Sequence, residues 1–298
     1  MGLLDTKVAI VTGSGRGIGR SEALRLSAEG ASLVINDLGG ALIGGGSSTS
    51  PAEEVAAEIR ARGGQAVANA DDVSDWAGAQ RLIHQAIETF GRLDILVNNA
   101  GIIRTGMSFN LDESDWDSVI RVHLKGTFAP SRFAAEYWRS RFKATGVPVD
   151  GVIVNTSSPN GLNGGTPGHV NYAVAKSGIA TMTILLAREL QPYGVRVNAI
   201  APVADTRMTQ ELFESGAFTD TDRVRLDPEN VAALVGWIAS PKAADVSGQV
   251  FAISGGQWGL WESWTQPSAV DSAQTWTIEA IDQARGALFG SRTPGVPA

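Results

Sequence analysis

The feature that most constrains the fold is a regular alternation of two hydrophobic patterns along the chain. Short apolar runs rich in β-branched residues alternate with longer stretches whose apolar residues recur at helical spacing. The predicted strands are Val8–Thr12, Ser32–Asn36, Ala66–Ala70, Leu93–Val97, Val152–Thr156, Val195–Ile200 and Val250–Ile253. Apolar strands separated by helices are typical of a parallel sheet covered on both faces. The sequence therefore predicts a doubly wound α/β fold with a mostly parallel, seven-stranded sheet.

Two segments interrupt this alternation. Residues Leu38–Pro51 are rich in glycine, serine and threonine, which predicts a surface loop. From Gln257 onward, four of the chain's eight tryptophans fall within a short stretch. We interpret residues 257–298 as a C-terminal extension that packs on the domain or on a subunit neighbour, because large aromatic residues mostly serve burial. The remaining residues, 1–256, form one predicted catalytic domain.

Composition excludes several classes of protein. With 298 residues and 43% apolar content the chain can bury a large core, and its net charge of -7 opposes binding to nucleic acid. The absence of cysteine excludes disulfides, thiolate metal sites and cysteine nucleophiles, and we expect no bound metal. No apolar run approaches the roughly 18 residues of a membrane span, and no signal peptide is recognisable. These features predict a cytoplasmic protein without membrane or nucleic-acid partners.

A glycine-rich turn follows the first predicted strand and leads into a helix. Its spacing is Gly13-x-x-x-Gly17-x-Gly19, which lets backbone N–H groups approach a pyrophosphate at the helix N-terminus, as in Rossmann-type folds. A glycine turn without a ligand is the alternative. Asp37 ends the second strand, where a carboxylate accepts hydrogen bonds from ribose hydroxyls and repels the 2′-phosphate of NADP. Arg16 favours NADP instead, but we give Asp37 more weight and predict NAD.

Polar residues follow the fourth and fifth strands and open a later helix. Asn98–Gly101 closes the fourth strand and Asn155–Ser158 closes the fifth, so both segments are expected at one crevice at the carboxyl edge of the sheet. Tyr172 and Lys176 are four residues apart and share a helical face. An adjacent ammonium favours the phenolate, so this pair is suited to abstract a proton from an alcohol.

Together these motifs resemble the short-chain dehydrogenase/reductase family. T-G-x-x-x-G-x-G, N-N-A-G and Y-x-x-x-K occur in the family's order between Lys7 and about Gly256. The resemblance implies an NAD-dependent oxidoreductase that interconverts a secondary alcohol and a ketone. It also implies that Tyr172 is the acid/base, that Lys176 binds the nicotinamide ribose and lowers the tyrosine pKa, and that a serine polarises the substrate oxygen.

The same resemblance implies a set of cofactor-binding residues and an assembly. The implied cofactor-binding residues are Gly13, Arg16, Gly17, Ile18, Gly19, Asp37, Asp72, Val73, Asn99, Ala100, Gly101, Tyr172, Lys176, Pro202 and Thr206. Family members commonly pair two long helices, which here correspond to Trp116–Arg141 and Tyr172–Leu190. We therefore expect a homo-oligomer, either a dimer or a tetramer.

Two positions depart from the family pattern. The catalytic serine usually precedes the tyrosine by 13 residues, whereas Ser158 precedes Tyr172 by 14. We assign Ser158 because it keeps the S-x-x-G phase of the family, which leaves Ser157 a structural role. The second departure is His123, which stands where the family usually has an asparagine of the proton relay. An imidazole also donates and accepts hydrogen bonds, so His123 is a candidate catalytic residue with an open role.

The departures match one branch of the family. Residues Asn36–Gly40, the glycine-rich insertion, Arg121–Leu124 and Gly255–Trp258 are similar to the (3R)-hydroxyacyl-CoA dehydrogenase domains of D-bifunctional proteins. This similarity implies a (3R)-3-hydroxyacyl-CoA substrate. A hydroxysteroid or other bulky alcohol is the alternative, in an apolar pocket formed by Met107, Phe109, Met208, Leu212, Phe213 and the tryptophan-rich C-terminal extension. A dinucleotide-binding scaffold or sensor is the non-enzymatic alternative.

Overall fold

The computed structural model describes residues 2–40, 46, 50–207, 209 and 219–292. Strands and helices alternate along the chain as the apolar pattern predicts. The strands are β1 (Val8–Thr12), β2 (Ser32–Asn36), β3 (Ala66–Asn69), β4 (Ile95–Asn98), β5 (Gly151–Thr156), β6 (Val195–Val203), β7 (Val250–Ser254) and β8 (Gln257–Trp261). The helices are α1 (Gly17–Ala28), α2 (Ser50–Ala61), α3 (Trp76–Phe90), α4 (Glu113–Ile120), α5 (Gly126–Thr145), α6 (Pro159–Leu162), α7 (Val170–Leu190), α8 (Asp220–Arg225), α9 (Pro228–Ala239) and α10 (Ile278–Phe289). Short turns at Arg121–Lys125, Gln191–Tyr193 and Pro241–Ala243 complete the described elements.

The sheet has the strand order β3-β2-β1-β4-β5-β6-β7-β8. All neighbours up to β7 pair in parallel, and β8 pairs antiparallel with β7. The predicted doubly wound, mostly parallel α/β fold is thus confirmed. The predicted count of seven strands is wrong, because β8 adds an eighth at one edge. The dipeptide Gly255-Gly256, which joins Ser254 to Gln257 as a two-residue hairpin, is the signal that would have revealed this strand.

Each face of the sheet carries its own hydrophobic core. Along β2, Ile35 belongs to the core under α1, α2 and α9, whereas its neighbour Val34 belongs to the core under α3 and α5. Both residues are completely buried. Successive side chains of a strand point to opposite faces, so a strand buried on both sides is apolar throughout. This explains why the strands were recognisable as continuous apolar runs.

The chain divides into two compact units, Met1–Trp261 and Glu262–Ala298. Strand β8 therefore belongs to the first unit, which extends five residues beyond the predicted boundary at 256. Trp258 of β8 packs against Trp237 and Phe251, with ring centroids 5.7 and 6.2 Å away. In the second unit, Thr277 caps α10 by accepting a hydrogen bond from the Ala280 amide.

Two further sequence expectations concern the predicted loop Leu38–Pro51 and the absence of a membrane span, and the structure bears on each only in part. Most of the predicted loop Leu38–Pro51 lies outside the described residues, and its last two residues open α2. Helix α7 with its following turn, Val170–Tyr193, is long and apolar enough to pass the length and composition criteria of a membrane span. The packing of α7 against β5 and β6 accounts for this apolar character, since core helices give the same signal.

The strand order reverses between β1 and β4. Ligands of open α/β sheets bind at the carboxyl ends of the strands on either side of such a reversal. The glycine turn follows β1, and the segment Asn99–Gly101 follows β4, so both lie at this point. The fold thereby positions the predicted site.

Candidate active site

The glycine turn is interlocked with the segment that follows β4. The Asn99 side chain donates hydrogen bonds to the carbonyls of Thr12 and Gly13, at 3.0 and 3.1 Å. A Cβ atom on Gly19 would lie 2.4 Å from Asn99 Nδ2, and one on Gly13 would lie 2.7 Å from Ala100 Cα. Glycine is therefore required at both positions, because a Cβ at Gly13 would meet the Ala100 backbone and one at Gly19 would meet the Asn99 amide and the Gly13 carbonyl. The T-G-x-x-x-G-x-G and N-N-A-G motifs are two halves of one contact.

The outer part of the turn faces solvent at the N-terminus of α1. Arg16 and Gly17 are exposed, whereas Ile18 is half-buried and packs against the core. Gly17 has φ +54, and a Cβ added there would first meet the Thr206 side chain at 3.5 Å. An exposed glycine at a helix N-terminus leaves backbone N–H groups accessible to an anion. These residues fit the pyrophosphate of a dinucleotide.

Asp37 contacts the glycine turn directly. One carboxylate oxygen accepts a hydrogen bond from the Gly15 amide at 2.8 Å, and the other accepts one from the Gly39 amide at 2.7 Å. The predicted ribose-binding carboxylate thus also holds the turn and the segment after β2 in place. Arg16 forms no ion pair within the described part of the chain.

Asp72 and Val73 follow β3, and Asp72 is paired with a residue that the sequence did not single out for this role. Arg121 binds Asp72 Oδ2 at 3.0 Å and Ser74 Oγ at 2.6 Å. The Ser74 hydroxyl in turn donates to Asp72 at 2.6 Å. Burial raises the pKa of Asp72, but the hydrogen bonds from Ser74 and Arg121 outweigh it, so that the pKa is lowered. No local pattern signals this pair, because 49 residues separate its members.

The structure brings Ser158, Tyr172 and Lys176 together. Lys176 is buried, donates a hydrogen bond from Nζ to the Thr156 carbonyl at 2.6 Å, and lies 5.5 Å from the centre of the Tyr172 ring. Burial lowers the pKa of Lys176 to about 7. Burial raises the pKa of Tyr172, and a hydrogen bond with the Ser158 side chain lowers it in part. A phenol between a hydroxyl and an ammonium is equipped to exchange a proton with a ligand oxygen.

The two candidate serines have different surroundings. The Ser158 side chain contacts Tyr172 and caps the short helix α6 through the Asn160 amide. Ser157 is buried, and its hydroxyl donates to the Lys176 carbonyl at 2.8 Å. Gly161 lies so close to α7 that a Cβ atom there would be 2.5 Å from the Ser177 amide nitrogen. The glycine of S-x-x-G therefore allows α6, and Ser158 with it, to abut the helix that carries Tyr172.

His123 lies at the centre of a single turn of π-helix, Arg121–Lys125. The side chain is 1% exposed, and its Nε2 lies 2.7 Å from the Ile102 carbonyl oxygen. The His123 ring meets the Tyr172 ring edge-on at a centroid distance of 5.3 Å. Burial first, and the charge of Lys176 second, lower the pKa of His123 to about 3. The imidazole is therefore neutral at physiological pH.

The remaining predicted residues lie further out. Pro202 is near the carboxyl end of β6, and Thr206 faces the glycine turn. Met107 and Phe109 are exposed, whereas the other predicted pocket residues, Met208, Leu212 and Phe213, lie outside the described residues. In the part of the chain that the structure describes, no group of three or more His, Asp or Glu side chains is arranged to hold a metal ion.

Comparisons with known proteins agree with this geometry. Residues 7–216 match the family described as short chain dehydrogenase. The chain is 46% identical to hydroxyacyl-CoA dehydrogenase ChsB1 of Mycobacterium tuberculosis over 258 residues, which cover 85% of this chain and 79% of that protein. It is 38% identical to mouse peroxisomal multifunctional enzyme type 2 over 93% of this chain, which corresponds to 36% of that longer protein.

The fold has a close counterpart among solved structures. A short chain dehydrogenase from Mycobacterium avium superposes with a TM-score of 0.86 at 45% identity, covering 100% of this chain and 99% of the other. The dehydrogenase relatives and the matched family support an oxidoreductase that acts on the CH–OH group of a small alcohol or on the corresponding ketone. Members of this family typically use NAD or NADP. The chain belongs to the short-chain dehydrogenase/reductase family.

Proposed function

We propose that this protein catalyses the NAD-dependent interconversion of a secondary alcohol and a ketone, with Tyr172 as the proton-transferring group. The observation that carries the proposal is the grouping of Ser158, Tyr172 and Lys176. A hydroxyl and an ammonium flank one phenol at the carboxyl edge of the sheet, within the region matched by the family. Such a grouping serves a reaction in which a proton and a hydride leave adjacent atoms of one substrate.

Each of the three residues has one task in this reaction. The Ser158 hydroxyl holds the substrate oxygen beside Tyr172. In the oxidative direction the Tyr172 phenolate takes the hydroxyl proton, and in reduction the phenol returns it. The nicotinamide ring, when bound, supplies the hydride acceptor or donor. The Lys176 ammonium favours the phenolate by Coulomb attraction, and the phenolate in turn favours the charged lysine, which offsets the cost of burying each charge.

We infer that NAD is preferred to NADP. Asp37 places a negative charge at the end of β2, beside the glycine turn that it binds through Gly15. A 2′-phosphate there would face a like charge, whereas ribose hydroxyls can donate hydrogen bonds to the carboxylate. Arg16 is exposed on the same turn, and its positive charge favours NADP because it would attract the 2′-phosphate. Asp37 outweighs Arg16 because two backbone amides fix its carboxylate in place, whereas Arg16 is solvated.

The proposed substrate is a (3R)-3-hydroxyacyl-CoA. Support comes from ChsB1, which is named as a hydroxyacyl-CoA dehydrogenase, and from the match to part of the peroxisomal multifunctional enzymes. A bulky apolar alcohol such as a hydroxysteroid is the second candidate. Exposed Met107 and Phe109, which are 45% and 79% accessible after β4, favour it because they are available to an apolar ligand.

A single substrate panel separates these functions. The purified protein is incubated with NAD or NADP and with (3R)-hydroxybutyryl-CoA, its longer homologues, its (3S) isomer and a hydroxysteroid, while reduced cofactor is followed by absorbance. We expect turnover with NAD and the (3R) thioesters. Turnover of the steroid alone would favour the second candidate. Binding of NAD without turnover of any alcohol would favour the scaffold or sensor instead.

The proposal includes a homo-oligomer built on α5 and α7. A groove of about 530 Å³ runs along these helices and is lined mainly by residues of α7, with Phe128 of α5 at its side. Three apolar side chains in it are 40–50% exposed, namely Phe128, Val174 and Leu185. Exposed apolar patches of this kind are characteristic of subunit contacts. The same two helices are those that the sequence predicts to pair.

A further inference from the structure

Residues 102–110, here named the 102–110 segment, lead away from the proposed active site. The segment begins at Ile102, whose carbonyl oxygen lies 2.7 Å from His123 Nε2. Further along it, the apolar side chains of Met107 and Phe109 are exposed. Apolar side chains at the edge of a site are available to the apolar part of a ligand. The contacts that hold this segment therefore bear on which substrates the site accepts.

The side chain of Asn171, which directly precedes Tyr172 in α7, joins the 102–110 segment to two helices. Asn171 is completely buried. Its Nδ2 donates hydrogen bonds to the carbonyl of Arg104, at 3.1 Å, and to that of Asp115 in α4, at 3.4 Å. Its Oδ1 accepts a hydrogen bond from the Tyr172 amide at 2.7 Å. An ion pair between the partly exposed side chains of Arg104 and Asp115, at 3.6 Å, adds a weaker contact.

The start of α7 explains why an asparagine suits this position. The first N–H groups of a helix have no partner within the helix. The N-cap residue His169 makes no capping hydrogen bond with its side chain in the described part of the chain, so the Tyr172 amide relies on Asn171 Oδ1. Among short polar side chains, only asparagine supplies one acceptor for this amide together with two donors for the carbonyls outside the helix.

A second hydrogen bond ties the same segment to the loop before α7. The Gly106 amide donates to the Gly168 carbonyl at 2.9 Å. Gly168 has φ +88, a conformation that glycine adopts without strain. The spacing between Ser158 and Tyr172, which is one residue longer than usual in the family, falls across this loop. The 102–110 segment is thus held at two points, both on the chain that directly precedes Tyr172.

We infer that Asn171 is a positioning residue that sets substrate specificity, because it fixes the 102–110 segment relative to Tyr172 and so holds Met107 and Phe109 against the apolar chain of the substrate. The inference rests on the proposed function of Tyr172. A fixed segment adds contacts along the chain of a long substrate, whereas a short substrate is held mainly at its reacting hydroxyl. Loss of the amide should therefore weaken the binding of long substrates and leave the chemistry of short ones.

Amide hydrogen exchange tests the attachment without any measurement of activity. Peptides that cover residues 102–110 are followed by mass spectrometry in wild type, Asn171→Ala and Asn198→Ala. Asn198 is the matched control, because it is also completely buried, donates to the Val246 carbonyl and accepts from the Gln249 amide. We expect exchange in the segment to rise at least about tenfold in Asn171→Ala and to keep the wild-type rate in Asn198→Ala. An unchanged rate in Asn171→Ala would overturn the inference.

Kinetics over a series of acyl chain lengths then separate specificity from catalysis. In Asn171→Ala we expect kcat/KM for a long-chain (3R)-3-hydroxyacyl-CoA to fall at least about tenfold, through KM, and kcat/KM for (3R)-hydroxybutyryl-CoA to change less than about threefold. A tenfold change corresponds to lost contact with about two methylene groups. Asn198→Ala should affect all chain lengths alike.

A second variant disturbs the segment at its other attachment. Gly168→Ala strains the backbone at a positive φ and leaves the Asn171 amide in place. We expect the same dependence on chain length, and this variant keeps the test decisive if Asn171→Ala does not fold. A Gly168→Ala variant whose exchange in the 102–110 segment rises while its kinetics match wild type at every chain length would overturn the inference.

Two further outcomes would contradict the specificity role. Equal falls of kcat at every chain length would place the effect of Asn171 at Tyr172 itself. Wild-type KM values for long chains, in an Asn171→Ala variant whose segment exchanges faster, would show that the segment does not contact the substrate. Failure of the proposed function has a different signature, because the wild-type protein would then show no turnover while the exchange data would still show whether Asn171 holds the segment.

Discussion

At the scale of single residues, three ionisable groups owe their properties to burial. Lys176 and His123 have lowered pKa values, and Glu22 of α1 has a raised one, in each case with burial as the leading cause. Burial disfavours the charged form of any group. Lys176 and His123 lie in the proposed active site, beside Tyr172, so there the shifted pKa values bear on the proposed reaction. At Glu22, which is completely buried, the shift affects only stability.

Replacement of Tyr172 by phenylalanine is expected to abolish turnover and to leave NAD affinity nearly unchanged. The substitution removes the transferable proton and keeps the ring that packs against His123. General acid–base groups contribute at least about 10²-fold, so activity should fall by that factor or more. The measurement pairs steady-state kinetics with NAD titration. Activity above about a tenth of wild type would refute the assignment.

Replacement of Asp37 by asparagine is expected to narrow the preference for NAD over NADP. The amide removes the negative charge, while its oxygen still accepts one of the two backbone hydrogen bonds from Gly15 and Gly39. Asp37→Ala removes both hydrogen bonds as well as the charge. Comparison of the two variants therefore separates the loss of charge from the loss of turn geometry. The ratio of kcat/KM values for the two cofactors is the readout. Comparable values in the wild-type protein would mean that Arg16 sets the preference instead.

Glu22 is expected to make stability depend on pH. Neither of its carboxylate oxygens has a partner among the described residues, and burial raises its pKa from the ordinary value of 4.5 to about 8. The folded state therefore favours the protonated form. The contribution of Glu22 is fully present below about pH 4.5 and is lost as the pH rises toward 8, by up to about 1.4 kcal/mol per pH unit.

The substitution that tests this is Glu22→Gln, which removes the charge and keeps the shape. The wild type loses stability as the pH rises, so the free energy of unfolding of Glu22→Gln minus that of wild type should increase from about pH 5 to pH 8. Glu88→Gln, at an exposed position of α3, is the control and should show no such trend. Urea denaturation at several pH values gives the free energy of unfolding of both variants and of wild type. A constant difference between Glu22→Gln and wild type across this range would show that Glu22 is ionised in the folded state.

At the scale of elements, two features of the helices shape the catalytic centre: a π-helical turn and a close contact between two helices. The sequence predicts one continuous helix over Trp116–Arg141, whereas the structure has α4, a π-helical turn and α5. The π-helical turn inserts one extra residue into the helical repeat and aims His123 inward. The second feature is the close contact of α6 with α7, which depends on Gly161. Both irregularities occur next to Tyr172, where local geometry serves the reaction more than helix regularity does.

Replacement of Gly161 by alanine is expected to lower kcat and stability together. The added Cβ would press on the Ser177 backbone at 2.5 Å, so α6 must move away from α7 and carry Ser158 with it. Overpacking of this kind costs about 1–3 kcal/mol. Gly259→Ala in β8 is the matched control, because a Cβ there meets no atom within 4 Å. Kinetics and thermal unfolding that match between wild type and Gly161→Ala would contradict this role.

At the scale of the whole molecule, the proposed active site and the proposed subunit contact share one helix, α7. The carboxyl ends of the strands carry the glycine turn, Ser158 and the segment Asn99–Gly101. Helix α7 contributes to both functions, since it presents Tyr172 and Lys176 to the site and Leu185 to the groove. A subunit contact along α7 would therefore also brace the catalytic helix.

Replacement of Leu185 by glutamate is expected to weaken the proposed homo-oligomer. Leu185 is 50% exposed in the groove, and a carboxylate there would face its own copy across a two-fold contact. Sedimentation velocity of wild type and variant at micromolar concentration is the measurement. Val147→Glu changes a similarly exposed apolar residue outside the groove and is the control. A wild-type protein that sediments only as a 31.2 kDa species would refute the assembly.

The sequence alone determined the parts of this protein that depend on contiguous residues. Apolar runs predicted seven of the eight strands, because a strand buried on both faces is apolar along its length. The glycine spacing and the Tyr172–Lys176 pair are likewise local. Strand β8 was missed, although the Gly255-Gly256 dipeptide of its hairpin is an equally local signal.

Only the tertiary structure decided the features that join distant segments. It paired Arg121 with Asp72 and placed Gly101 against His123. It also buried the Glu22 carboxylate without a hydrogen-bond partner in the part of the chain that the structure describes. The lowered pKa of His123 follows from burial, which no spacing in the sequence expresses. A residue's type fixes the chemistry that it can perform, but its pKa and hydrogen-bond partners depend on the atoms that the fold brings around it.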